Sequence, residues 1–176
     1  MIPQFFYGST IYYMANLRHG WEHYFTYMLV MVLENFVGIG LGMVLSASLK
    51  SVEMAPQIAP AVVIVFLMFS GFFLNDDSIP VYLSWLKYIS FIRYAYQALS
   101  VNEFRGAIFE PSSPPKPYDM NGDQFLAAQN FENVTIFENC VYLGIMLAVF
   151  NIMALVILIL RRPTFLTIQR GVERVE

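Results

Sequence analysis

Charge is what this chain has least of. Only 13% of its 176 residues are Asp, Glu, Lys or Arg, while 57% are hydrophobic. Ordinary soluble domains run near 25% and 45–50%. A water-facing domain of this size cannot hide so much apolar surface, so the composition reads as an integral membrane protein. Cysteine is almost missing. Cys140 stands alone, which excludes an internal disulfide and an all-cysteine metal site. It reads as a buried thiol beside an apolar run, with an intermolecular bridge as the alternative. No basic run interleaved with aromatics exists, which leaves no basis for nucleic-acid binding. The chain also lacks a phosphate loop, a G-x-S-x-G elbow and a dinucleotide fingerprint. It is therefore read as a non-enzyme with no cofactor of its own. Asp119 to Asp123 (DMNGD) is too short for an EF-hand. The first residues lack a basic n-region and a small-residue cleavage site, so they do not form a signal peptide.

What is present is apolar length. Three segments can cross about 30 Å of hydrocarbon at about 1.5 Å per residue: residues 24–49, 54–74 and 141–160. Pro60 is expected to bend the second. Residues 1–17 are apolar but short, and read as the end of a span whose beginning is missing. Residues 80–105 are long enough to cross but carry Lys87, Arg93 and Glu103.

Charge at the segment ends decides how that stretch lies. Arg161 and Arg162 abut the last span, and the positive-inside rule puts the tail, residues 161–176, in the cytoplasm. The loop over residues 106–139, acidic with Lys116 as its only Lys between Ala107 and Asn139, is then extracellular. If residues 80–105 do not cross, Lys50 falls inside and the Asn75-Asp76-Asp77 turn outside. The opposite choice reverses both, so a re-entrant or interfacial helical pair fits the charges better. Trp85, Tyr88, Tyr94 and Tyr96 suit an interface. Asn133-Val134-Thr135 is a glycosylation sequon in the outer loop and agrees with this orientation.

Several residues carry two readings. His19-Gly20-Trp21-Glu22-His23 matches the H-x-x-E-H zinc pattern, which needs a helix and a further ligand; the plain alternative is an interfacial helix start anchored by Trp21. Glu34 and Asn35 lie near mid-span, where an ionisable group costs about 2.5–3.5 kcal/mol. They are read as a polar wall of a substrate path, a proton-linked carboxylate, or a group hydrogen-bonded to a neighbouring helix. Gly38, Gly42 and Ser46 repeat every fourth residue and read as an internal packing stripe, or else a dimer seam. Asn151 is expected to hydrogen-bond between helices. Phe66, Phe69, Phe72 and Phe73 crowd the outer end of the second span, where periodicity alone favours core or lipid contact.

The wording of one stretch goes further. FSGFF (69–73), then IP, W-L-K-Y-I-S, R-Y-A-Y-Q-A-L and NEFRG (102–106) resembles the membrane domain of G-subfamily ABC half-transporters, the White and breast-cancer-resistance type. The likeness runs nearly the whole chain and looks like the C-terminal half of that domain, from its third span onward. Gln97 departs from it, since relatives often have an acidic residue there. The resemblance implies an all-α, polytopic helical membrane protein: a partial type-2 ABC exporter-like domain with re-entrant helices and an extracellular loop. It implies pairing with a second half-transporter subunit, and ATP and Mg on a nucleotide-binding domain outside these residues. Phe72 and Phe73 would form a hydrophobic plug, with Ile64 and Leu67 lining a cavity for sterol, lipid or amphipathic xenobiotic cargo exported by alternating access. A plasma-membrane address follows from the same likeness. The other readings are a stand-alone membrane interaction or regulatory subunit without a motor, and a membrane metallo-enzyme on His19, Glu22 and His23.

Overall fold

The computed structural model describes residues 2–49, 53–73, 81–107 and 121–161. Lys50, the Asn75-Asp76-Asp77 turn, residues 108–120 of the acidic loop and the tail from Arg162 lie outside the described residues. Among the described residues the structure is all-helical. In order it contains α1 (Ile2–Met14), α2 (Trp21–Ser48), α3 (Met54–Met68), a single 3-10 turn (Val81–Leu83), α4 (Ser84–Ile89), α5 (Phe91–Phe104), α6 (Gly122–Ala128) and α7 (Ile136–Leu160).

Helices α2 and α7, with 28 and 25 residues, are long and apolar enough to cross a bilayer. At about 1.5 Å per residue they reach about 42 and 37 Å. Where the sequence places a span over residues 54–74, the regular helix α3 has only 15 residues and ends at Met68. Pro60 sits inside α3, where it removes one backbone donor. Gly71, at a φ of +91°, turns the chain after the helix.

The core lies where α5 packs against both α2 and α7. Val30, Val37, Leu41 and Val44 of α2 meet Ala95 and Ala98 of α5 and Leu143, Phe150 and Ala154 of α7. The two alanines let α5 approach closely. Gly40 lets α2 lie close to α7, since an added Cβ there would stand 3.3 Å from Phe150 Cβ. This differs from the stripe expected at Gly38, Gly42 and Ser46. A Cβ at Gly38 or Gly42 would meet nothing within 4 Å, and Ser46 is exposed. Gly40 is two residues from each glycine of the stripe, about 200° round the helix at 3.6 residues per turn, and so faces the other side.

Two smaller contacts complete the fold. Tyr12 of α1 packs on Tyr27 and Met28 of α2. Val101 of α5 packs with Leu126 of α6 and Phe131. Helix α6 lies within the stretch read as a loop, and its start is fixed by reciprocal capping between Asn121 and Gln124. The ends of the bundle are tied differently. At the end holding α6, here termed the upper end, side chains link α1, α2, α5 and the start of α7. At the lower end Arg161 Nη1 donates to the Leu49 carbonyl at 2.9 Å, satisfying an acceptor that the last turn of α2 leaves free.

Candidate functional site

The three phenylalanines of FSGFF, together with Phe66, fall into two sets. Phe66 and Phe69 are buried, whereas Phe72 and Phe73 are 59% and 61% exposed. The division follows from the turn. Ser70 is fully buried, and its hydroxyl donates to the Leu67 carbonyl at 2.7 Å. It also accepts from the Phe72 backbone N–H at 3.3 Å. Gly71 then takes its positive φ, and a Cβ there would stand 3.2 Å from Phe131 Cζ. Phe72 and Phe73 are carried past the helix end rather than along it. Their rings meet edge-to-face at 4.8 Å, and Phe72 stands on Tyr96 at 5.7 Å. Lower on α3, Ile64 is 57% exposed and Leu67 half-buried. Ile64 is thus a further exposed apolar side chain on the helix that leads to the aromatic pair, three residues before Leu67.

Every residue of NEFRG is engaged in a joint at the upper end. Asn102 Nδ2 donates to the His23 carbonyl at 3.0 Å, and its Oδ1 lies 3.2 Å from His23 Nδ1. Glu103 accepts from the Arg18 backbone N–H at 2.8 Å. The Phe104 ring packs on Phe125 at 4.6 Å. Arg105 donates to the carbonyls of Glu132 and Val134 at 3.0 and 2.8 Å. Gly106, at a φ of +68°, donates from its backbone to Asp123 Oδ1 at 3.0 Å. Arg18 Nη1 in turn donates to the Arg105 carbonyl at 2.7 Å. Five consecutive residues thus fasten the α1–α2 connection, α6 and the approach to α7 to one helix end. Pairwise sequence spacing could not show this, because the partners lie up to 87 residues away.

The same joint removes the zinc reading. H-x-x-E-H puts both imidazoles on one face only if a helix runs through it. Here α2 begins at Trp21 with Gly20 as its N-cap, so His19 precedes the helix. His19 Nδ1 lies 3.0 Å from the Leu17 carbonyl, and His23 is occupied by Asn102.

The remaining polar residues are dispersed. Glu34 and Asn35 share an open concavity of about 440 Å³ with Gln4, Met31, Gly38 and Phe91. Gln4 closes one side by donating to the Met31 carbonyl at 2.8 Å. Asn151 was expected to bond between helices, but it donates to the Leu147 carbonyl of its own helix at 2.7 Å. It packs against α2 at Gly40 instead. Asn133 is exposed, beside a polar dip lined by Ala127, Asn130 and Glu132. Thr135 of the same triplet caps α7, its hydroxyl accepting from the Glu138 N–H at 3.3 Å. Gln97, the position of departure, is 5% exposed within the face of α5 that meets its neighbours. Ser70, Ser90 and Asn102 lie in the motifs that carry the resemblance, but sequence reasoning assigned none of them a role of its own; the local signal for Ser90 was a capping residue opening an aromatic helix.

The family described as ABC-2 type transporter matches residues 1–104, from α1 to the last residue of α5. The chain belongs to that family. It is 36% identical over 155 residues to the protein white of Drosophila melanogaster, covering 85% of this chain and 22% of that protein. It is 35% identical over 106 residues to ABC transporter G family member 1 of Dictyostelium discoideum, covering 58% and 13%. It is 29% identical over 168 residues to the ABC transporter ATP-binding protein/permease wht-1 of Caenorhabditis elegans, covering 88% and 24%. The matched part therefore spans less than a quarter of each of these relatives' length. These likenesses make the chain a membrane component of an ABC transporter, with a transmembrane region of the G-subfamily type. In that setting the uncovered apolar faces of α3 and α7, including Val63, Ile64, Ile152 and Leu158, need no water-facing explanation. Lipid or a neighbouring helix is their solvent.

Proposed function

We propose that this chain forms the membrane path of an ATP-driven exporter of sterol, lipid or amphipathic xenobiotic, with Phe72 and Phe73 as its gate. The observation that carries the reading is the aromatic pair itself. Two large apolar rings are held out of the core by a turn that Ser70 and Gly71 make rigid. They stand beyond the end of a helix whose own side chains, such as Ile64, are uncovered. A second half-transporter subunit would cover that helix and set an equivalent pair opposite this one. ATP and Mg would act on a nucleotide-binding domain outside these residues. Between the subunits, apolar walls bind flat, greasy cargo by non-directional contact, and release follows when the walls close. Alternating access requires that binding and release differ between two states, with ATP biasing one of them.

In this reading the upper end faces outward, residues 81–104 re-enter the membrane from that side, Asn133 bears a glycan, and the plasma membrane is the site of action. Glu34 and Asn35 form a polar wall beside the path. The test is ATP-dependent uptake of a fluorescent sterol or phospholipid into inside-out vesicles. Vesicles from cells making the protein are compared with vesicles from cells in which its gene is disrupted. Uptake that needs ATP and the intact gene supports the exporter. Equal uptake in both preparations for sterol, phospholipid and amphipathic drug probes alike argues against it.

A further inference from the structure

The upper end holds a second feature, at the α1–α2 connection. Tyr12, Tyr13, Trp21 and Tyr24, with Leu17 and His19, line a cavity of about 180 Å³. The rings of Tyr13 and Tyr24 are 31° from parallel, and both stand nearly perpendicular to Tyr12, at 84° and 83°. Three electron-rich rings therefore form a corner, and Trp21 stands at its rim. The two inner hydroxyls are turned to protein partners. Tyr12 Oη donates to the Arg18 carbonyl, and Tyr24 Oη pairs with Ser9 Oγ at 2.7 Å. This fixes those rings. Among the described residues no carboxylate lines the cavity, so the ring quadrupoles supply its negative potential.

That chemistry selects among cations. A primary ammonium or a small metal ion brings N–H donors or tightly held water, and the lining has few acceptors to replace them. A trimethylammonium group has no N–H to satisfy, and its methyl surface suits aromatic walls. A row on α2 indicates what carries the cation. Trp21, Phe25 and Leu29 recur every fourth residue, which aligns them down one helix face. They are 77%, 64% and 54% exposed. The row leads from the cavity mouth along the helix, where an acyl chain would lie.

We infer that the Tyr12, Tyr13, Trp21 and Tyr24 corner is a binding site for the trimethylammonium headgroup of a choline lipid in the adjoining leaflet. Its tail lies along Phe25 and Leu29. The site is separate from the Phe72–Phe73 pair and does not depend on what that pair transports. A simple interfacial belt of Tyr and Trp would accept choline and ethanolamine headgroups alike, and this separates the two explanations.

The full chain is reconstituted in nanodiscs containing phosphatidylcholine and phosphatidylethanolamine with identical acyl chains, and retained lipid is weighed by native mass spectrometry. Choline lipid should be retained in clear preference to ethanolamine lipid of the same acyl chains. Tyr13→Leu should lower the preference. Tyr13→Leu with Tyr24→Leu should bring it to parity, while Tyr24→Phe, which keeps the ring, should preserve it. Tyr13 is 69% exposed, so the single variant tests the site even where the pair does not fold. Parity in the unaltered chain, or an unchanged preference in Tyr13→Leu, overturns the site. Tetramethylammonium chloride at the same cation concentration should fail to displace the lipid. If it does displace it, the lipid assignment is overturned in favour of a free quaternary ammonium.

Discussion

The Ser90 hydroxyl donates to the Phe66 carbonyl at 2.7 Å, and both residues are buried. The bond exists because α3 tightens as it ends. The Ser70 N–H, which a regular helix would direct at Phe66, bonds the Leu67 carbonyl instead. Phe66 is left with a free acceptor in a place without water, where an unpaired carbonyl is costly. Ser90 also caps α5, accepting from the Arg93 N–H at 3.4 Å. One side chain thus joins the break between α4 and α5 to the helix that leads to Phe72 and Phe73.

Ser90→Ala should leave the Phe66 carbonyl unsatisfied and remove the side-chain cap of α5, whose Arg93 N–H keeps only the Ser90 carbonyl at 3.2 Å. The expected loss is about 1–3 kcal/mol, read as a lower midpoint of thermal unfolding in detergent. Ser90→Thr, which keeps the hydroxyl, should lose less. An unchanged midpoint in Ser90→Ala would show that the bond carries no stability.

Gly71→Ala tests the turn that presents the aromatic pair. A side chain at a φ of +91° is strained, and its Cβ would press on Phe131 at 3.2 Å. Together these should cost about 1–3 kcal/mol. Yield after mild heating, measured by size-exclusion chromatography, should fall well below that of the control Gly42→Ala, where a Cβ meets nothing within 4 Å.

The joint between Asn102 and His23 is measurable as a coupling. Asn102→Ala and His23→Ala should each destabilise, and the double variant should lose less than the sum. Because Asn102 also bonds the His23 carbonyl, which survives the His23 substitution, the coupling reports the side-chain pair alone. It should fall in the range of about 0.5–3 kcal/mol found for contacting polar groups. Strict additivity would mean that the 3.2 Å contact does not form.

Orientation is tested at the sequon. Asn133→Gln should abolish a glycosidase-sensitive shift in gel mobility. Thr135 has two roles, completing the triplet and capping α7. Thr135→Ser should keep both, whereas Thr135→Val should remove the glycan and cost about 1 kcal/mol for the lost cap. Protein without a glycan from a glycosylating membrane would reverse the proposed topology.

The legible and illegible parts of this chain divide on physical lines. Long apolar runs fix the two long helices, since α2 and α7 need only length and hydropathy. The end of α3 was not legible, because Phe69, Phe72 and Phe73 prolong the apolar run. The helix is ended by the bonds of Ser70 to the Leu67 carbonyl and by the turn at Gly71. Helix α6 had a readable signal in Asn121 and Gln124, the two ends of a capping box, hidden within a polar stretch read as loop. The fourfold glycine spacing indicated a close approach but not which face makes it, and Gly40 does so through Phe150. NEFRG could be recognised by resemblance. What it does depended on partners such as Arg18, His23 and Asp123, which no local pattern connects to it.

The central claim is that Phe72 and Phe73 gate an ATP-driven path, and the coupling ratio tests it most directly. Cargo moved per ATP hydrolysed is measured in proteoliposomes holding this chain assembled with the proposed nucleotide-binding domain, with and without Phe73→Ala. Phe73 is 61% exposed, so its truncation should leave folding intact. The account predicts continued ATP hydrolysis with a changed transport rate and a lower ratio. An unchanged ratio and an unchanged transport rate would contradict it.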